Sequence, residues 1–540
     1  MHRLNNVVKS VKLMTHHLSY NSRCINFKVA IMTTTITRNG DTIIVQTTMK
    51  LTGSMLEMEN IIQSSVNKVG VIATGEAISR FDATGDQINI ASIKLTSKGK
   101  VAKEYQTPYG AVIVNRHVYQ TSQGGKTFCP LDDRARIITS STPKLAQILS
   151  YKYAHLSAAE VADDLYKNHG RKTIPSFVKQ TAEIVASIAQ ATEESWDYEV
   201  PEQIEPIANI SVSLDGTCML MRKIDKDDQD SRMANKIQLI TEFKIKTNQA
   251  KNDINLFQII HENVTADGYK HDCLTQKTIK KITTGEIDTL DALLDNMHTP
   301  LPGGYREAMT GNISLYNPDG ERLHTIYLGA TPEYGKAKFL SNLQNEVDKI
   351  KNKYPTASYI GIADGAANNW EFLNQNTQYQ ILDFYHATEY LAGASYAFSQ
   401  VEAERKLWLH NACHELKYTE NAAQTILTQM KEQISIIENK KKISDVIKKK
   451  LISAITYFTN QLSRMNYFDY TSKKLPIGSG VTEAACKTLI KQRLCRSGML
   501  WKDKGASIVL SLRALVMTTD RWSQFWDKIS NNGIMELQAA

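Results

Sequence analysis

Ile210 to Thr217, ISVSLDGT, sets Ile210, Val212 and Leu214 in alternation with polar residues and then delivers a carboxylate, Asp215, followed by glycine. A period of two is the mark of a strand with one buried side. Downstream, Arg306 to Tyr316 and Arg322 to Leu328 read as two more strands, joined by the hairpin turn Asn317-Pro-Asp-Gly320. Leu340, Leu343, Val347 and Ile350 then fall on one helix face, and Tyr354-Pro355 closes that helix because a residue before proline is pushed out of helical geometry. Ser358 to Ala363 forms a fourth strand that delivers Asp364 in YIGIADGAANNW, and Gln378 to Phe384 a fifth that carries Asp383. The order is three strands, a helix, a strand, a short helix, a strand, and finally helices that include Glu483. This is the element order of an RNase H-like domain, an α/β fold whose mixed five-stranded sheet makes the first and fourth strands parallel neighbours. Asp215 and Asp364 are therefore expected side by side at the carboxyl ends of those strands.

Glu483 lies in PIGSGVTEAACK, where Gly478-Ser479-Gly480 leads into a helix with Ser479 as N-cap. A carboxylate suits that first turn. Taken singly, an acid at a strand end is usually a cap or an ion-pair partner. Three at these topological positions form a more specific pattern, a set of hard oxygen ligands for Mg²⁺ or Mn²⁺. Asp215, Asp364 and Glu483 are thus the candidate catalytic and metal-binding residues, with two ions expected. Asp383-Phe-Tyr-His386 adds a carboxylate and an imidazole near the same place; His386 could shuttle a proton, ligate a metal or contact DNA, although a hydrogen bond that shapes the loop is the favoured reading. Lys487, Lys491 and Arg493 follow Glu483 on its helix. Lys487 stands one turn beyond it, placed to meet a phosphate or to form an i,i+4 ion pair with Glu483. With Trp501, and with Lys172 and Lys179 upstream, these are the candidate DNA contacts.

At 540 residues the chain exceeds the size of one core, so several domains are expected. The formal net charge of +8 is modest and favours a polyanionic partner only if it is concentrated on one face. Seven cysteines without a C-x-x-C pair fit a reducing interior and give no zinc site. No apolar run reaches the roughly 18 residues of a membrane span. LGATPEYGKA, Leu328 to Ala337, spaces its glycines wrongly for a phosphate-binding loop. The expected organisation begins with a basic extension over 1–31, either transit-peptide-like or upstream of a true start at Met32. A small mixed β-rich module over 32–142 comes next. Three helices follow over 143–200: the middle one opens on the capping box Ser157 to Glu160 and ends at Asn168-His169-Gly170, and the third has Pro175 near its start. They suggest a helix-turn-helix-like DNA-binding module, with an ordinary helical bundle as the alternative. The RNase H-like core spans 201–400 and 475–520, interrupted by a helical insertion over 401–474 and followed by a tail over 521–540. Residues 223–302 form an inserted subdomain opening with KIDKDDQD; Asp225, Asp227, Asp228 and Asp230 there lack the glycine and glutamate of a calcium loop and read as a solvated surface. Lys440 to Lys442 and Lys448 to Lys450 form a stripe that either tracks a phosphate backbone or is a wet helix face.

Four blocks together carry a family likeness: GYREAMTGNISLYNPDGERLHTIYLGATPEYGKAKFL, SYIGIADGAANNWEFL, LDFYHATEYLA and IGSGVTEAACKTLIKQRLCRSGMLWKDKGASIVLSLRALV. From about Ile210 to Val516 the chain resembles the ISKra family of bacterial insertion-sequence transposases. The resemblance implies a DDE-type enzyme with Asp215, Asp364 and Glu483 as its triad, and Asp383 and His386 match the C/D-x-x-H pattern of Mutator-like relatives. It implies double-stranded DNA as partner, both terminal inverted repeats and target, with homo-oligomers assembling on DNA, no membrane association, and a prokaryotic cytoplasmic, nucleoid-associated setting. Hydrolysis at the element's ends would be followed by attack of the freed 3′-hydroxyl on target DNA. Upstream of the three helices only Cys129 remains of the paired cysteines common in such proteins, so a zinc ribbon is not expected. The competing expectations are a catalytically silent domesticated DNA-binding protein and an RNase H-like structure-selective nuclease.

Overall fold

A computed structural model of the protein describes residues 34–90, 93–193, 196–222, 304–331, 335–438 and 444–532. The extension over 1–31, the inserted segment over 223–302 and the first lysine cluster, Lys440 to Lys442, lie outside the described residues. The protein is mixed α/β, and it divides into two compact units: one runs up to Thr192 and includes the residues from Ser523 onward, the other is Glu193–Trp522. No helix among the described residues is long and apolar enough to cross a membrane.

In the first unit, β1 (Thr34–Asn39) and β2 (Thr42–Thr47) form an antiparallel hairpin, followed by α1 (Met55–Ser79). This helix lies in the stretch 32–142, expected to be mixed and β-rich, where the sequence reading places no helix. Its apolar residues, among them Leu56, Met58, Ile61, Val66 and Val71, lie around the whole axis and so give no single-face period. The available signal was a capping box: Glu57 Oε2 accepts from the Ser54 amide at 2.7 Å, and the Glu57 amide donates to Ser54 Oγ at 3.4 Å. Next comes a four-stranded antiparallel sheet in chain order, β3 (Ile88–Ile90), β4 (Ile93–Gln106), β5 (Ala111–Thr121) and β6 (Gly124–Phe128).

The three expected helices follow the short α2 (Pro130–Arg134): they are α3 (Pro143–His155), α4 (Ala158–His169) and α5 (Pro175–Ala191). Ser157 caps α4 in a complete capping box, Gly170 ends it in the left-handed conformation with φ 61°, and Pro175 opens α5. Leu149, Val161, Leu165, Val178 and Val185 are buried among them.

The second unit is built on one five-stranded sheet of order β11-β10-β7-β8-β9. β7 (Asn209–Met221), β8 (Gly304–Tyr316) and β9 (Arg322–Ala330) are an antiparallel meander. The Asn317 side chain makes its turn, Oδ1 accepting from the amides of Asp319 at 3.1 Å and Glu321 at 2.8 Å. α6 (Gly335–Lys353) buries Phe339, Leu343, Val347 and Ile350 and leads to β10 (Ser358–Ala363), which lies parallel to β7. In this register Ile362 is level with Ser213, so Asp364 comes level with Asp215. After α7 (Ala367–Asn376), β11 (Tyr379–Leu382) ends before Asp383. The fifth strand is thus shorter than expected, because Asp383 caps the next helix instead of extending the ladder.

That helix, α8 (Phe384–Ser395), begins the expected helical segment, which continues as α9 (Glu402–Tyr418), α10 (Ala422–Glu438), α11 (Asp445–Gln461) and α12 (Tyr467–Ser472). It is not a separate body: Leu391, Leu416, Ile426, Leu451 and Phe458 belong to the same continuous core as Val212, Ile313 and Ile362. α13 (Gly480–Ala485) runs into a π-helical turn, Cys486–Lys491, and α14 (Asp503–Met517) follows. The expected tail is another correction, since α15 (Arg521–Asn532) buries Phe525, Trp526 and Ile529, an i, i+1, i+4 spacing that the sequence carries openly.

At Gly361, in the middle of β10, a Cβ would sit 2.9 Å from Leu373 Cβ and 2.8 Å from Thr377 Oγ1. The helix beneath the strand comes that close only because glycine is there. Gly361→Val should force α7 away from the sheet and destabilise the protein by about 2 kcal/mol, seen as a lower urea midpoint; an unchanged midpoint would contradict this packing.

Candidate functional site

β10 stops at Ala363, while β7 continues to Met221, paired with β8 on its other side and bridged at Met221 to Trp501. Asp215 therefore stands within β7, not at its end, at the level where the neighbouring strand gives out. Its Oδ1 accepts from the Gly216 amide at 2.7 Å and its Oδ2 from the Cys486 thiol at 3.4 Å. Burial raises its pKa and the nearby Asp364 carboxylate raises it further; hydrogen bonds from Gly216 and Cys486 oppose this without reversing it. Cys486 stays a neutral donor, pushed up to about 12 by burial and by Asp215. Asp364 follows directly on β10, with Oδ1 accepting from the Ala366 amide at 3.2 Å.

Glu483 comes from the far end of the sequence. Its helix is fixed over the sheet by Asn312 Nδ2, which donates to Thr482 Oγ1 at 2.7 Å, and by Thr310 Oγ1, which lies 2.9 Å from Cys486 Sγ. Cys486, three residues after Glu483 on the same helix face, is the residue that touches Asp215. His386 completes the circle: its Nδ1 is 3.9 Å from Glu483 Oε1, and its charge is coupled to both Asp215 and Asp364. Cys486 and His386 thus link the elements that carry the three acids singled out in the sequence, while the group whose ligand atoms lie close enough to share one ion among the described residues is Asp383, His386 and Glu483, without Asp215 or Asp364.

Asp383 is wholly buried, and both its oxygens are fully engaged. Oδ1 accepts from the amides of Tyr385 at 2.6 Å and His386 at 3.1 Å; Oδ2 accepts from the Ser479 amide at 2.6 Å and from Ser479 Oγ. Ser479 stands at the N-cap position of α13, but its hydroxyl is spent on Asp383 and makes no cap bond. Although burial works against ionisation, hydrogen bonds from His386 and Ser479 hold the Asp383 carboxyl below its usual range. Ligand atoms of Asp383, His386 and Glu483 all lie within 4.8 Å of one another, a spacing suited to a cation. With four donors already on Asp383, its part is to frame the site. The acids with capacity left are Asp215, Asp364 and Glu483, and the His386 ring, with Nδ1 3.8 Å from Asp383 Oδ1 and 3.9 Å from Glu483 Oε1, stands beside them. A buried carboxylate close to a second one fits a hard divalent cation.

The His386 amide donates to Asp383, and its ring lies beside the same carboxylate. Its closeness to Asp383, which outweighs burial, lifts its pKa from 6.5 to about 9. Lys487 and Lys491 are exposed on the helix that carries Glu483, and Lys487 makes no ion pair with Glu483 among the described residues. Lys172 and Lys179 are also exposed, the first over the Tyr166 ring at 5.6 Å and the second 3.8 Å from Glu183. Arg493 is a correction: it is 2% exposed and its guanidinium packs 5.3 Å from the Trp501 ring centroid. Trp501 is half-buried and donates from Nε1 to the Leu494 carbonyl at 2.8 Å. Neither is placed to meet a phosphate. Two residues past Lys491, Arg493 is turned away from that lysine even on a regular helix, and the π-turn Cys486–Lys491 lies just before it. Arg513 supports that turn by donating from Nε to the Leu489 carbonyl at 2.7 Å and from Nη2 to the Thr488 carbonyl. Cys486 and Ser479 are the site residues that sequence reasoning missed; for Cys486 the signal was its place three residues after Glu483.

No protein-family profile matches the chain, and no curated protein matches it.

Replacing Asp383 by alanine leaves four donors without an acceptor and should cost about 3 kcal/mol of stability. The sign with pH follows from its depressed pKa: the contribution is complete above the ordinary carboxyl range and fades as acid titrates the folded carboxylate. The gap between wild type and Asp383→Ala in urea midpoints should therefore shrink on acidification. For His386, whose folded pKa is raised, the stabilisation is complete below 6.5 and is lost as pH rises through about 9. Imidazole NMR in the metal-free protein should give a midpoint near 9 that drops toward 6.5 in Asp383→Asn; the same midpoint in both proteins would rule out Asp383 as the cause.

Proposed function

We propose that the protein is a DDE-type DNA transposase, whose RNase H-like domain cuts the ends of a mobile element and joins them to target DNA. The observation that supports this reading is that the elements carrying three distant acids meet around Cys486 and His386. The parallel register of β7 and β10 sets Asp215 beside Asp364, and the Cys486 contact with Asp215 brings in the helix of Glu483. The sheet order β9-β8-β7-β10-β11, with three antiparallel strands followed by two parallel ones, supports the RNase H-like assignment. So does the placement of the site where β10 ends, the usual position for ligands of α/β sheets.

Asp215, Asp364 and Glu483 would hold Mg²⁺ or Mn²⁺. Bound there, two such ions would supply the Lewis acidity that polarises a phosphodiester and its attacking oxygen. Asp383 holds the Glu483 loop against α8, and His386 keeps a proton beside the acids at neutral pH. Lys487 and Lys491, exposed after Glu483, offer positive charge to a DNA backbone. Lys172 and Lys179 do the same on the helix-turn-helix-like segment.

The test uses a labelled duplex carrying the DNA that flanks the reading frame, a supercoiled target plasmid and Mg²⁺. Wild type should cleave and join, whereas Asp215→Asn, Asp364→Asn and Glu483→Gln should each lose about a thousandfold or more in cleavage while still shifting the duplex in a gel. A variant that cleaves at the wild-type rate removes its residue from the site. Cleavage without joining would reassign the protein to the structure-selective nucleases, and binding without cleavage to silent DNA-binding proteins.

A further inference from the structure

Asp364 leaves β10 through a turn shaped for glycine. Gly365 has φ 109°, and a Cβ on it would lie 3.1 Å from Tyr457 Cε2 and 3.4 Å from Gln461 Nε2. Both neighbours belong to α11, deep in the helical segment. Tyr457 Oη donates to the Asp364 carbonyl at 2.6 Å, and Gln461 Nε2 to the Gly365 carbonyl at 3.2 Å. β10 has already ended, so these two carbonyls are met by side chains where a strand would otherwise serve.

The pair is itself held in place. The Tyr457 ring stacks on Tyr390 of α8 with centroids 3.8 Å apart and planes 12° from parallel. Gln461 Oε1 accepts from Arg464 Nη1 at 2.9 Å, and Arg464 lies over the ring of Trp370 in α7 at 4.4 Å. α11 is thereby braced against the helices on both sides of the Asp364 turn. Burial, then the charge of Asp364, pushes the Tyr457 hydroxyl well above its ordinary range, so it remains a donor at any working pH. The Asp364 side chain has its own single tie, to the Ala366 amide within the same turn. Its direction thus depends on the turn, and the turn depends on α11.

We propose that Tyr457 and Gln461 are positioning residues for Asp364, so that the helical insertion is a working part of the carboxylate site and not only a surface for DNA. This inference rests on the metal-site reading above. A hydrogen bond to a backbone carbonyl costs little to lose globally. Its local effect on a ligand carboxylate is larger, because metal ligation tolerates only small errors in ligand placement.

Two measurements on the full-length protein separate the proposal from the reading it rests on. Amide exchange of the Gly365–Ala366 segment without metal reports the clamp itself, and Mn²⁺ titration followed by electron paramagnetic resonance reports its consequence. Tyr457→Phe keeps the ring stack and removes only the donor; Gln461→Leu removes the other. Each should speed exchange in the turn and weaken Mn²⁺ binding about tenfold, with thermal unfolding close to wild type. Unchanged exchange in both variants overturns the clamp. Faster exchange with unchanged Mn²⁺ affinity overturns the positioning role alone. Wild-type Mn²⁺ affinity in Asp364→Asn overturns the metal-site reading, and the positioning role with it.

Discussion

A buried carboxylate with four donors holds this site together. Asp383 takes two amides from the first turn of α8 and two groups from Ser479, ninety-six positions later in the chain. A charge this far from water is tolerable only when hydrogen bonds replace its lost hydration, and here every available lone pair in the plane is used. The cost of breaking any one of them falls on the others. That is why the loop before α13 has one stable position, and why Glu483, which follows it, has one as well. The site's other acids do not have this support. Asp215 has two donors, too few to offset its burial and the nearby charge of Asp364, a deficit a cation would relieve.

The sequence was most readable where local chemistry and tertiary position agree. Alternation in ISVSLDGT, the Asn317 turn and the apolar face of α6 each report a local preference that the fold uses unchanged. Asp215 and Asp364 could be placed at one level because strand order decides which strands of a mixed sheet are parallel neighbours. Legibility failed where one residue serves two elements. Asp383 reads as the last residue of a strand but caps a helix, and Ser479 reads as a cap but gives its hydroxyl to Asp383. Arg493 reads as a DNA contact with Lys487 and Lys491 because all three follow Glu483 on its helix, but residues two apart do not share a face, and Arg493 is buried. α1 was hidden for the opposite reason, apolar residues on all sides, although Ser54 and Glu57 marked its start.

The helical segment between β11 and α13 was read as an addition to the sheet, and its chain continuity suggested as much. Its packing is different in kind. Leu391, Leu451 and Phe458 lie in the same core as the sheet residues, and Tyr467 donates from its hydroxyl to the Leu382 carbonyl at the end of β11. A segment that shares a core unfolds with it, so these helices and the carboxylates they surround form one cooperative unit. Any shift of α11 would be felt at Asp364 through the Tyr457 and Gln461 hydrogen bonds, without any loop having to move.

The long pair of β7 and β8 has a further consequence. Met221 is directly opposite Gly304, so the chain leaves the sheet and re-enters it at adjacent points, six residues beyond Asp215. Closing a loop across such a gap becomes only slowly harder as the loop lengthens. This junction therefore behaves as a socket: segments of very different size fit between Met221 and Gly304 without disturbing the pairing of β7 with β8 on which Asp215 stands.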